Sequence, residues 1–168
     1  MPRVRKCLNL GCGLDKRRST DEEKWVNADI RPEVEPDVVM DMAETPYPFP
    51  DEEFDLVLLY DSLEHVPFGK IDDVIREIRR ITKTGGKLVI KCPDLEAIAL
   101  KYILNYYRNG DYRLLSYIIY GAQDYEHNFH KSGFTMKAMR NLLESHGFRV
   151  DSMRIVQETN MLVEATKV

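Results

Sequence analysis

The stretch Cys7-Leu8-Asn9-Leu10-Gly11-Cys12-Gly13 (CLNLGCG) decides how the rest of the chain is read. A short apolar run broken by two glycines in three residues is the pattern of a buried strand meeting a tight turn. Gly11 and Gly13 allow the backbone to approach a ligand where a side chain would collide. Working outward, Val26-Asn27-Ala28-Asp29-Ile30 reads as a second strand stopped by Pro32, and Asp37 to Met42 as a third. Between the first two strands, Leu14 to Lys24 is highly charged and lacks helical apolar spacing. A loop or one short turn is expected there, where many nucleotide-binding folds place their first helix.

Prolines at 46, 48 and 50 exclude regular structure and deliver the chain into Phe54 to Tyr60 (FDLVLLY), a fourth strand buried on both faces. Ile71, Val74, Ile75, Ile78 and Ile81 recur at spacings of three and four, predicting a helix that Gly85-Gly86 ends. Lys87 to Cys92 gives a fifth strand. Another helix is expected from Leu95 to Arg108, followed by an aromatic-rich segment from Gly110 to Gly133 with weak periodicity. Met136, Met139, Leu142 and Leu143 predict a helix capped by Thr135 and stopped at Gly147. Phe148 to Thr159 and Met161 to Val168 read as two last strands. The expectation is an α/β fold, a mostly parallel sheet of about seven strands with helices on both faces and a reduced first helix.

The 168 residues suffice for one core without disulfide or metal staples. Three cysteines without a CxxC pair, and no leader peptide, suit a reducing, cytoplasmic setting. No run approaches the roughly 20 apolar residues of a membrane helix. A net charge of -4 and a pI near 5.6 disfavour nucleic acid as a partner.

In a parallel sheet, ligands sit at the carboxyl ends of the strands. That directs attention to Gly11 to Asp15, Asp29 to Arg31, Asp41 to Glu44, Asp61 to His65 and Cys92 to Asp94. Asp29 is placed to accept hydrogen bonds from ribose hydroxyls. A dinucleotide fold would want a third glycine near position 16, which is Lys, so a nicotinamide-dependent oxidoreductase is disfavoured.

As an ordered set, LNLGCG (8–13), VNAD (26–29), Asp41-Met42-Ala43-Glu44, YPFPDEEFDLV (47–57), Leu63-Glu64-His65-Val66 and IRRITKTGGKLVIKCP (78–93) resemble the S-adenosylmethionine-dependent methyltransferases of Rossmann-like fold. The resemblance covers Cys7 to Asp94 and, more loosely, Thr135 to Val168. It implies S-adenosylmethionine as cofactor, held by Asn9, Gly11, Cys12, Gly13, Asp29, Ile30, Asp41, Met42, Ala43, Asp61 and Ser62. Asp29 would grip both ribose hydroxyls, a charge-assisted contact worth about 1.5–3 kcal/mol. Asp41 would accept from the adenine amino group beside Met42, and Asp61, better than Ser62, would face the methionyl ammonium. Asp29 as a strand-end cap and Asp41 as a turn former are the bland readings.

If the acceptor is a hydroxyl, the candidate bases are His127, His130, His65 and Asp94, in that order. His65 also fits a hydrogen-bonded loop histidine, and Asp94 a helix cap. Residues 95–134 read as a substrate-side insertion in a single domain spanning 1–168. Tyr102, Tyr106 and Tyr117 are expected in packing, while Tyr125 to Lys131 (YEHNFHK) is expected to be a substrate loop. His127 and His130 lack a third metal ligand at a familiar spacing, so no metal is expected. A small molecule or saccharide is the preferred acceptor. A homodimer through the Tyr-rich segment, and a non-catalytic module that binds S-adenosylmethionine or a nucleotide for regulation or assembly, stand as alternatives.

Overall fold

The computed structural model describes residues 3–104 and 112–168. Seven strands form one sheet: β1 (Arg5–Leu10), β2 (Glu23–Asp29), β3 (Val38–Val39), β4 (Phe54–Tyr60), β5 (Thr82–Pro93), β6 (Phe148–Val156) and β7 (Asn160–Lys167). Their order is β3-β2-β1-β4-β5-β7-β6. The first five run parallel, and β7 is antiparallel to both neighbours. The strand order reverses between β1 and β4, which opens a crevice at their carboxyl ends.

Helix α1 (Ile71–Ile81) crosses from β4 to β5. Its apolar stripe, Ile71, Val74, Ile75, Ile78 and Ile81, is buried, with Asp72 and Asp73 in the first turn and Arg79 and Arg80 in the last, matching the helix dipole. The chain leaves the helix at Thr82, before the glycines, because Thr82 Oγ1 donates to Ile78 O at 2.6 Å and Thr82 already pairs with Phe54. Gly85, at φ +77, instead serves the irregular start of β5.

No helix forms between β1 and β2, as the charge pattern predicted. A pair of buried asparagines anchors the connection. Asn9 Nδ2 donates to Asp15 O at 2.8 Å and to Asn27 Oδ1 at 3.2 Å. Asn27 Oδ1 also accepts from Arg17 N at 2.7 Å, and its Nδ2 donates to Arg17 O at 3.0 Å. The third strand is shorter than the expected 37–42. Asp37 Oδ2 is taken by Asn27 N, and Asp41 Oδ1 accepts from Ala43 N at 2.8 Å, turning the chain immediately after the strand.

The predicted helix 95–108 is α-helical only over α2 (Leu95–Ile98) and continues as a wider π turn over Ala99–Leu104; residues 105–108 lie outside the described set. Helix α3 (Tyr112–Tyr120) arises in the weakly periodic segment and has no buried residue. Tyr117 is 61% exposed, so the packing role expected for it is wrong; Tyr106 and Tyr107 lie outside the described residues. Helix α4 (Met136–Ser145) starts at Thr135, whose side chain accepts from Ala138 N, and buries Met139 and Leu143 in the main core. Among the described residues, no helix is long and apolar enough to cross a membrane.

Candidate active site

A cavity of about 330 Å³ opens at the carboxyl ends of β1, β2 and β4, within the range of small-ligand sites. It is lined by Gly11, Cys12 and Gly13 after β1, Asp29, Ile30 and Arg31 after β2, Asp41, Met42 and Ala43 after β3, and Asp61 and Ser62 after β4. Ten of the eleven predicted cofactor residues are therefore brought together. Asn9 is the exception, because its amide faces the β1–β2 connection that it anchors.

Gly11 sits at φ +75, and a Cβ there would lie 2.5 Å from Ser62 Cβ and 2.9 Å from Met42 Cε. The space over this glycine is thus filled by the protein itself. Its missing side chain lets the β4 loop close over the turn, where Ser62 Oγ donates to Leu10 O at 3.1 Å. Gly13, at φ +50, donates its N–H to Asp29 Oδ2 at 2.7 Å.

Asp29 Oδ1 accepts from Arg31 N at 3.0 Å and from Arg31 Nε at 3.3 Å. Three of the roughly four lone-pair sites of the carboxylate are occupied, which leaves capacity for one hydroxyl on Oδ2. A second hydroxyl requires the long Arg31 Nε contact to open. Asp61, held at φ +50, pairs with Lys91 at 2.5 Å and accepts from Asn160 Nδ2 at 3.2 Å. Burial pushes the Cys12 thiol up to about 11, so it stays protonated at neutral pH.

Lys70, Tyr125, His127 and Lys131 add to the wall beside Arg31. The Arg31 guanidinium lies over the Tyr125 ring, which ties the segment after α3 to the end of β2. Sequence reasoning named Tyr125 to Lys131 as a substrate loop and drew attention to Asp29 to Arg31 without giving Arg31 a role, but missed Lys70. Two steps from Asp29, Arg31 carried a readable signal; Lys70 carried none.

The four candidate bases divide. His65 and His127 line this cavity, whereas His130 lines a second cavity with Glu64 and Lys131. Asp94 is 2% exposed, and its carboxylate accepts from Ala97 N at 2.7 Å and from Met136 N at 2.9 Å. It caps α2 and binds the start of α4, the helix-cap alternative. His65 Nδ1–H donates to Phe129 O at 3.0 Å and His130 Nδ1–H to Ile119 O at 3.2 Å. Burial holds both imidazoles below their ordinary pKa, hence neutral near pH 7. Burial also pushes the Glu64 carboxyl up to about 8.

A glycine turn, an acidic residue closing β2 and a crevice where the strand order reverses define a nucleotide-type ligand site on a Rossmann-like sheet. A family model described as "Methyltransferase domain" matches residues 8–90. A crystal structure of an S-adenosylmethionine-dependent methyltransferase from Methanosarcina mazei superposes with TM-score 0.71 at 19% identity, covering 100% of this chain and 94% of that one. A protein from Pyrococcus horikoshii superposes with TM-score 0.69 at 18% identity, covering 99% and 83%. An uncharacterized protein of Methanocaldococcus jannaschii is 41% identical over 58 residues, a stretch that spans 34% of this chain and 24% of that protein. Nearly half of the chain thus matches the methyltransferase-domain family, on a fold it shares with an S-adenosylmethionine-dependent methyltransferase of known structure.

Proposed function

We propose that this chain, acting as a single domain over residues 1–168, transfers the methyl group of S-adenosylmethionine to a small-molecule or saccharide acceptor. The observation that carries this reading is the convergence of ten of the expected cofactor residues on one cavity to which the 95–134 segment adds Tyr125, His127 and Lys131. When bound, the cofactor supplies an electrophilic methyl group on a sulfonium, so the protein's work is largely to align and desolvate. In this reading Asp29 Oδ2 accepts a ribose hydroxyl, Asp41 and Met42 hold the adenine, and Asp61 meets the methionyl ammonium with its charge partly offset by Lys91. His127 and His65 are the imidazoles positioned to take a proton from an acceptor. A cavity of about 330 Å³ suits a small acceptor better than a macromolecular surface.

With Asp94 engaged in two caps and His130 outside the cavity, His127 and His65 are the bases this reading uses; the second reading is a cofactor-binding module without transfer. Calorimetry with S-adenosylmethionine and S-adenosylhomocysteine on the native protein and Asp29→Ala tests the site. Micromolar binding lost in the variant supports it. Formation of S-adenosylhomocysteine in a screen of small hydroxyl- and amine-bearing acceptors then separates transfer from binding alone.

A further inference from the structure

Beside the cavity, the 3₁₀ turn Leu63–His65 and the segment 130–132 are stitched together. Lys131 N and Ser132 N both donate to Glu64 O, at 2.8 and 3.0 Å, and Ser132 Oγ donates to Val66 O at 2.6 Å. This clamp brings His130 against residues 65 positions earlier in the chain, with its ring centroid 5.2 Å from that of His65. One nitrogen from each ring and a carboxylate oxygen of Glu64 lie within 4.8 Å of one another.

Three features of this cluster match what a metal ion needs. First, both Nδ1 atoms face main-chain carbonyls, which can only accept, so each ring carries its proton on Nδ1 and presents Nε2 as its lone-pair atom. A carbonyl holding the distal N–H is the usual arrangement behind a metal-bound histidine. Second, Glu64 is 3% exposed and its Oε2 has no hydrogen-bond partner. Leaving such an atom unpaired costs roughly 1–3 kcal/mol, which a cation would offset. Third, the donor set of two imidazoles and one carboxylate suits divalent first-row transition ions and not Mg²⁺ or Ca²⁺, which prefer oxygen ligands.

We infer that Glu64, His65 and His130 form a binding site for a divalent transition-metal ion of the zinc type, in the wall between the two cavities. An ion at about 2.0–2.2 Å from each ligand spaces them about 3.4 Å apart. Side-chain rotations of roughly an ångström therefore close the site. Three protein ligands leave a fourth position for water or a ligand oxygen. With His65 engaged by the ion, His127 is left as the proton acceptor of the cavity. The site stands whether or not the chain transfers methyl groups.

Cobalt(II) is the probe, added to the metal-free protein. The expected result is one Co²⁺ bound per chain, visible absorption of a four- or five-coordinate site, and paramagnetic shifts of the ring protons of two of the four histidines, His65 and His130. Glu64→Gln and His130→Gln should each lower affinity a hundredfold or more, because even losing an outer partner costs about 10–100-fold. His146→Gln, at the end of α4, should leave binding unchanged. Absence of stoichiometric binding, a thiolate charge-transfer band, or shifts at His127 or His146 instead would overturn the site. The ring shifts decide the matter on the unaltered protein if a variant fails to fold.

Discussion

The Arg31 guanidinium sits 4.6 Å from the centre of the Tyr125 ring while also donating to Asp29, so one side chain joins the end of β2 to the segment that closes the cavity. A partly desolvated contact of this kind contributes about 0.5–2 kcal/mol. Tyr125→Ala should therefore raise the Kd for S-adenosylhomocysteine by about 2- to 30-fold, and Tyr125→Phe much less. Calorimetry checks this, and an Ala variant that binds like the native protein removes Tyr125 from the wall.

Gly11→Ala should destabilise the fold by about 2 kcal/mol or more, because a left-handed backbone and a 2.5 Å clash with Ser62 act together. Gly85→Ala is the control, with a similar φ of +77 but nothing within 4 Å, and should cost only about 1–2 kcal/mol. Urea unfolding of both variants measures the difference, which is the packing contribution at Gly11.

Asp94→Ala should cost about 2–4 kcal/mol, since it strips caps from Ala97 N and Met136 N in a buried setting. Affinity for S-adenosylhomocysteine should be unchanged, as Asp94 does not line the cavity. A matching loss of affinity in folded protein would return Asp94 to the site.

Hydrogen bonds from Arg80 hold the Glu77 carboxyl below its ordinary pKa, and Tyr47 N donates to the same group. A carboxyl lowered on folding binds fewer protons in the native state, so its contribution is present above the unfolded value and fades as the pH falls. Glu77→Gln should lower Tm at pH 7, with the gap to the native protein closing below about pH 4. A pH-independent gap would show that packing, not charge, holds this residue.

Elements whose pattern is local were legible in the sequence. The five apolar residues of α1 fixed its face and length, FDLVLLY coincides with β4, and the charge of 14–24 announced the missing helix. What was not legible depends on partners far along the chain. Gly85-Gly86 looked like a helix stop, yet Thr82 is already committed to Phe54. Gly11 looked like an opening for a ligand, yet Ser62 and Met42 occupy it. His130 looked like a cavity base, yet the Glu64 clamp draws it to the far side of the wall. No spacing rule joins residues 64 and 130.

The two ends of the strand order also govern how the protein behaves in a crowd of its own copies. Unpaired edge strands are templates for intermolecular β-pairing and aggregation. Here one margin, β3, is only two residues long. The other, β6, breaks its register between Val150 and Ser152 and carries Arg149, Asp151 and Arg154 in ion pairs. A brief margin on one side and an irregular, charged one on the other give an incoming strand little to extend, so the sheet stops growing at seven.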